Sequence, residues 1–581
     1  MEQILDAVRK TPTWLAYRRS AGQIRALLQS KSEQLDRNVR LALIGSFTLD
    51  PLADFLTVEA AAEGITLDIC QAPYNQISSE ILNLHSSLYT FAPEITLLAA
   101  EPQSLDSDPS AAVDQIASLA HHWQANTTGT LIVCNFIAAP DWPLHVLASD
   151  RQMRIRQANQ RMKDIWADDP RIRVLDLDAL AAFAGYANAY SSQMAAMAHV
   201  PFGEGFLKLF SQLLCSHIKA VKGWSKKCLV LDCDNTLWGG IVGEDGPEGI
   251  ALGPDWPGRE FVQFQKAIVE LYEQGVILAV NSKNNENDVL EVFRRHPHMV
   301  LREEHIAAFA VNWQTKAENM LLLSRQLNIG LDSMVFVDDN PAERQIIRQM
   351  LPQIEILDLP ANPALYADTL RRTSFFTKLT LSDEDRLRGR MYAAQRRRDE
   401  LQKTAVSLEQ YLKSLEMVCT IRHAESRDIK RAAQLTQRTN QFNLTTRRYT
   451  ESQMQDRLNS PGWNVYVLGL KDKFGDNGTV GLALVETQQG TWRIDTFLMS
   501  CRVIGRQAEE ALLDMICRDA VSAGAAALKA EYIPTEKNTI VADFWDKMRF
   551  TRIASIEQTS AYRLDLKYYS PKTFDCLKVE S

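Results

Sequence analysis

Twice along this chain, short and wholly apolar runs alternate with amphipathic stretches of helix length. That alternation constrains the fold more than any other feature. Strands buried on both faces and separated by helices assemble as a parallel α/β sheet. The first set is "VRLALIGSF", "EITLLAA", "GTLIVCNF" and "IRVLDLDAL". The second is "KCLVLDCD", "VILAVNSK", "MVLREEH", "SMVFVDD" and "IEILDL". From about Glu416 the text turns strand-rich, with turn signals in "FGDNGTVG" and a helix, "RQAEEALLDMICRDAVSAG", that ends at a glycine cap. This predicts a mixed α+β domain. Five segments result: a helical segment over 1–39, an α/β domain over 40–215, a second over 220–375, a charged helical linker over 376–415 and the α+β domain over 416–566. The "RRR" of the linker reads as a solvated helix face.

Composition excludes several classes. A length of 581 residues calls for several domains rather than one. A net charge of -8 argues against a non-specific nucleic-acid binder. No apolar run reaches the roughly 18 residues of a membrane span, and the first residues have no apolar signal-peptide core. The nine cysteines form no C-x-x-C pair, which disfavours a zinc site or redox dithiol. Free thiols fit a cytoplasmic protein.

The second apolar set carries the chemistry. "LVLDCDNT" ends in Asp232 and Asp234, and residues i and i+2 of an extended strand face one side. Ligands of open parallel sheets gather outside the carboxyl ends of the strands. Two crowded carboxylates call for a cation or a shared proton, and a hard ion such as Mg²⁺ suits oxygen donors. Other strand ends add Asn281, Ser282 and Lys283, then Asp338 and Asp339, while Lys316 opens a helix in "NWQTKAEN". Acids, metal and lysine together make a phosphate site. Thr236, Asn281 and Lys283 fall beside these groups as candidate substrate ligands.

This order of features resembles the haloacid dehalogenase (HAD) phosphotransferase superfamily. "DCDNT" matches its first motif, Ser282 the second, Lys316 the third and Asp338–Asp339 the fourth. The resemblance implies Asp232 as nucleophile and Asp234 as general acid/base. Mg²⁺ would be held by Asp232, Asp234 through its carbonyl, and Asp339 or Asp338. The short segment after Thr236 leaves no room for a large cap domain, so Trp238–Gly246 would be a small flap.

"NTLWGGIVGEDG", "NSKNNE", "FVDDNPAER", "RTNQFNLTTRRYTESQ" and "FLMSCRVIGR" together resemble the FkbH-like family over about residues 40–560. That resemblance implies an enzyme that takes a glyceryl unit from 1,3-bisphosphoglycerate, removes the 3-phosphate and loads the acyl group onto the phosphopantetheine thiol of an acyl carrier protein. The setting is polyketide-type biosynthesis, and some members pass on a processed unit such as lactate. A cysteine thioester is a plausible relay. Cys501, at a strand end with Arg502 and Arg506 nearby, has a setting that lowers a thiol pKa. Cys233 lies beside the nucleophile, but alternation turns it inward.

The flanking domains resemble known folds too. The C-terminal one is similar to the GNAT acyltransferase fold, whose R/Q-x-x-G-x-G/A turn receives a pyrophosphate. Gln507 stands where glycine or alanine is wanted, which favours a pantetheine arm without the nucleotide. Asn443, Thr445, Arg447 and Arg448 form either a substrate loop or a solvated helix end. The N-terminal unit loosely resembles the SGNH hydrolase fold through Ser46, Asn135 and His199. Ala196 replaces the expected aspartate, so a serine-activating pair is lacking and a scaffold or docking role is expected. A plain HAD phosphatase with structural flanking domains is the alternative to the acyl-transfer reading, and a non-catalytic scaffold is a further one.

Overall fold

The computed structural model describes residues 1–581 except 11, 31–34, 36, 107, 141–145, 168, 380–382, 489, 501–502, 557–558 and 581. The chain divides into two compact units. One comprises residues 1–228 with 330–336 and 351–382, the other residues 229–329 with 337–350 and 383–581.

The first unit contains a five-stranded sheet of β1 (Arg37–Gly45), β2 (Ile65–Gln71), β3 (Ile95–Ala99), β4 (Thr130–Cys134) and β5 (Ile172–Leu175), in the order β2-β1-β3-β4-β5. All four pairings are parallel. Leu41 and Leu43 enter one core while Ala42 and Ile44 enter the other, as side-chain alternation demands. Strand β2 is absent from the sequence reading. It is a half-exposed edge strand with polar residues at intervals, so it never forms an apolar run.

The second α/β sheet holds β6 (Cys228–Leu231), β7 (Ile277–Ser282), β8 (Ile306–Val311), β9 (Met334–Asp338) and β10 (Glu355–Asp358), in the order β10-β9-β6-β7-β8. β6, β7 and β9 are buried throughout, the signature of strands covered on both faces. One strand lies elsewhere than expected. "MVLREEH" is not a strand; β8 is the following "IAAFAV". The buried Gln265 side chain accepts hydrogen bonds from the Val300 and Leu301 amides at 2.8 and 3.0 Å. It takes the place of a ladder partner and leaves the apolar Met299–Leu301 stretch as a loop.

Beyond residue 416 a nine-stranded sheet forms from β11 (Met417–His423), β12 (Phe442–Asn443), β13 (Trp463–Asp472), β14 (Gly475–Gln488), β15 (Thr491–Met499), β16 (Ala527–Tyr532), β17 (Thr551–Ile556), β18 (Thr559–Asp565) and β19 (Leu577–Glu580). The helix Ala508–Ser522 links β15 to β16, which pair in parallel. This is the expected strand–turn–helix–strand unit of a GNAT-like domain.

The charged helix Asp383–Thr404 corrects the reading of "RRR". Arg396 and Arg398 are buried. Arg396 pairs with Glu303 at 3.3 Å and lies over the Phe309 ring at 5.0 Å. Arg398 donates two bonds, of 2.7 and 2.9 Å, to Asp472 at the end of β13. Residues two apart on a helix point to nearly opposite sides, so this helix is gripped on both flanks. Its approach is close enough that a Cβ on Gly389 would lie 2.3 Å from the Tyr272 ring.

Candidate functional site

β6 and β9 are neighbours, and the chain leaves β6 toward β7 on one side and returns as β9 on the other. Their junction is the switch point of the sheet, where the crevice of an open α/β fold lies. Asp232 follows β6 directly, its amide donating to the Val337 carbonyl at 2.9 Å. Asp338 ends β9 and Asp339 follows. Carboxylate oxygens of Asp232, Asp338 and Asp339 all lie within 4.8 Å of one another.

Lys316 opens the helix Lys316–Leu327, whose start is fixed by a Thr315–Glu318 capping box. Its ammonium reaches Asp232 at 2.9 Å and also contacts Asp338. Burial pushes the Asp232 carboxyl up to about 6, with Lys316 opposing and Asp338 reinforcing the rise. Burial also raises Asp338 and Asp339. For Lys316, burial works against the charge, but the two carboxylates outweigh it and hold the pKa above its ordinary value. Two buried carboxylates and the half-buried Asp339 thus cluster around a single ammonium, which pairs with Asp232 and Asp338. The excess negative charge on oxygen donors fits a hard divalent cation.

Ser282 donates to Asp232 at 2.9 Å. Thr236 accepts the Asp339 amide at 3.1 Å and so ties the first motif to the fourth. Asn281 is fully buried and gives its amide to the Lys316 carbonyl at 2.9 Å. It therefore holds the helix start rather than facing the crevice. Lys283 pairs with Glu343 at 2.6 Å. Asp234 is outside the carboxylate cluster. Its Oδ1 accepts Trp238 Nε1 at 2.9 Å and the Val242 amide at 3.1 Å, and its Oδ2 accepts Asn284 Nδ2 at 2.9 Å.

The flap is short, as expected. Asn235 adopts a left-handed φ of 54° and accepts the Gly240 amide at 2.9 Å. Gly240, at φ 95°, has Asp245 packed where a Cβ would stand. The helical stretch Val242–Gly249 follows, broken at Gly246. Trp238, Asn284 and Gln265 escaped the sequence reading as site-building residues. Asn284 had a signal, since it lies two residues beyond Ser282.

Cys501 and Arg502 lie outside the described residues. Cys233 is fully buried, and its thiol is pushed far up by burial and by the Asp232 charge. Asn443 and Arg448 bond carbonyls at the C-terminal end of the helix Ile429–Arg438, while Thr445 and Arg447 turn to Asp495. Asn443 is in β12, and the loop after it wraps around Asp495. Thr445 donates to the Asp495 carbonyl at 3.0 Å. Arg447 pairs with Asp495 and Glu531 at 3.0 and 2.6 Å. Arg448 bonds the Thr436 carbonyl and Asn440.

In the first unit, Ser46 accepts the Glu101 amide at 2.9 Å, and Asn135 bonds Asp176 at 2.7 Å. His199 sits against Tyr74 at 4.8 Å between ring centroids and has no carboxylate partner among the described residues. The carboxyl ends of β1, β3 and β4 there enclose a cavity of about 300 Å³, lined by Phe47, Glu101, Asn135, Phe136 and Tyr190 among others.

A parallel sheet with acid-tipped strands at its switch point, a lysine at a helix start and a small flap defines a HAD-type domain. Comparison with known proteins carries this further. Residues 40–218 match the family model described as FkbH, N-terminal domain. The crystal structure of the N-terminal part of the protein BF1531 from Bacteroides fragilis, described as containing a phosphatase domain complexed with Mg, is 30% identical with a TM-score of 0.56. The match covers 61% of this chain and 99% of that one. The chain belongs to the FkbH-like family. Two acetyltransferases match a smaller part. The ribosomal-protein-S18-alanine N-acetyltransferase from Escherichia coli is 13% identical over 27% of this chain and 99% of its own, with a TM-score of 0.22. An N-acetyltransferase from Staphylococcus aureus is 15% identical over 26% of this chain and 98% of its own, with a TM-score of 0.21. No curated protein matches. Among the described residues, no helix is long and apolar enough to cross a membrane.

Proposed function

We propose that this chain is a Mg²⁺-dependent enzyme of phosphoryl and acyl transfer. It takes a glyceryl unit from 1,3-bisphosphoglycerate, removes the 3-phosphate and delivers the acyl group to the phosphopantetheine thiol of an acyl carrier protein. The observation that carries the phosphoryl half is the convergence of Asp232, Asp338, Asp339 and Lys316 at one switch point. Family membership supports the acyl half.

Asp232, Asp338 and Asp339, with the Asp234 carbonyl, would hold Mg²⁺, which offsets phosphate charge when bound. An Asp232 oxygen attacks phosphorus, and the bond from phosphorus to the sugar-acid oxygen breaks. Asp234 delivers a proton to that departing oxygen. Asp234 then takes a proton from water, which attacks the phosphoryl-aspartate and frees inorganic phosphate and the Asp232 carboxylate. Ser282 and Lys316 hold phosphoryl oxygens through these steps. In the acyl half, a thiolate attacks the carbonyl carbon of the acyl phosphate and expels phosphate. The carrier thiolate then takes the acyl group from that thioester. Cys501 is the relay this reading favours. Cys233 is the weaker choice, because a thiol with a raised pKa is a poor source of thiolate.

The experiment is incubation of enzyme, carrier protein, Mg²⁺ and 1,3-bisphosphoglycerate, followed by mass spectrometry of the carrier. A glyceryl thioester is expected. Phosphate release without carrier acylation would instead identify a plain phosphatase of a small phosphorylated metabolite. Peptide mapping of a trapped glyceryl-enzyme locates the relay cysteine.

A further inference from the structure

Asn284 is buried, and its side-chain amide stands between the two catalytic carboxylates. Nδ2 donates to Asp234 Oδ2 at 2.9 Å and to Ser282 Oγ at 3.2 Å. Ser282 in turn donates to Asp232 Oδ1 at 2.9 Å. An unbroken chain of hydrogen bonds therefore runs from Asp234 through Asn284 and Ser282 to Asp232. The flap approaches Asp234 from the other side, with Trp238 Nε1 and the Val242 amide both on Oδ1.

A carboxylate oxygen offers two lone-pair sites. Oδ1 of Asp234 is filled by the flap. Oδ2 accepts one bond and keeps one site open, and Asn284 fixes the direction in which that site points. We propose that Asn284 is a positioning residue which makes Oδ2 the oxygen of Asp234 that carries the proton, and which sets its aim relative to the Asp232 nucleophile. Trp238 and Val242 complete the arrangement by withholding Oδ1 from protonation. The inference rests on the HAD reading of Asp232 and Asp234 given above.

The role predicts a dependence on the leaving group. An aryl phosphate expels a stable phenolate and needs little help from an acid. An alkyl phosphate expels an alkoxide and depends on the proton from Asp234. Because kcat/KM reports events up to phosphoryl-enzyme formation, it isolates that proton transfer. The test compares kcat/KM of wild type, N284A and N284D, with Mg²⁺, on p-nitrophenyl phosphate and on glycerol phosphate.

N284A is expected to lose about 10–100-fold more on the alkyl substrate than on the aryl one, the scale of a misdirected supporting hydrogen bond to a catalytic group. N284D keeps the side-chain shape but puts an acceptor where Nδ2 donates, and is expected to show the same selective loss on the alkyl substrate. Equal losses on both substrates, in either variant, would overturn the inference. The reading beneath it fails separately. If D232N keeps wild-type activity on these esters, the HAD chemistry itself is wrong.

Discussion

The two parallel sheets of this chain end in crevices of opposite character. The first closes over a cavity of about 300 Å³ with aromatic walls and a few polar groups. The second brings oxygens of three carboxylates within 4.8 Å of one another, with the Lys316 ammonium 2.9 Å from Asp232. Both have five strands, and both leave their opening at the carboxyl ends. In the first, however, two of the groups that could have done chemistry make bonds within the fold. Ser46 caps an amide, and Asn135 holds Asp176. The same architecture therefore supports two different outcomes, decided by which side chains the strand ends carry.

The largest effect should come from the nucleophile. D232N is expected to lower phosphomonoester turnover by about 10³-fold or more, read in a steady-state phosphate-release assay. S46A, tested in parallel, is expected to leave the rate unchanged. A serine variant that lost turnover would break the contrast between the crevices.

Removing the metal comes next. Chelation is expected to abolish phosphate release, and Mg²⁺ to restore it. The pH dependence of Mg²⁺ affinity sharpens this. Burial keeps the Asp232 carboxyl up at about 6 without the ion, so below that pH the proton must leave before the ion can bind. Calorimetry is expected to show the dissociation constant rising by about tenfold for each pH unit below that value, and proton release on binding. A flat affinity across that range would mean that Asp232 is not a ligand.

K316M leaves the buried carboxylates without their ammonium. The expected loss of stability is about 3–5 kcal/mol, partly recovered by Mg²⁺, which only the second crevice should bind. Thermal melts with and without the ion give the comparison. The smallest effect is structural. G389A forces a methyl group against the Tyr272 ring and is expected to cost about 1–3 kcal/mol, seen in a denaturant titration, with Mg²⁺ affinity unchanged.

Much of the second crevice could be read from sequence because its logic is local. An apolar run that stops at Asp232, Ser282 or Asp338 shows both a strand and the residue at its tip. Lys316 was legible for a similar reason, since a capping threonine precedes it. What could not be read depends on distant partners. The loop at Met299–Leu301 exists because Gln265, on another helix, satisfies its amides. Strand β2 lies at an edge and needs no continuous apolar run. Arg396 and Arg398 are written like surface charges, and only Glu303, Phe309 and Asp472 make them interior. Asn284 was hidden by a similar effect: its neighbours invite attention, while its role comes from contacts on both sides.

The doubly anchored helix has a consequence for how this molecule comes apart. Peeling the helix from either flank would pull a buried guanidinium off its carboxylate, Arg396 from Glu303 or Arg398 from Asp472. Partial opening is then costly, and backbone amides around Phe309 and at the end of β13 should exchange with solvent together rather than in sequence. A break within Asp383–Thr404 would cut through a cooperative folding unit.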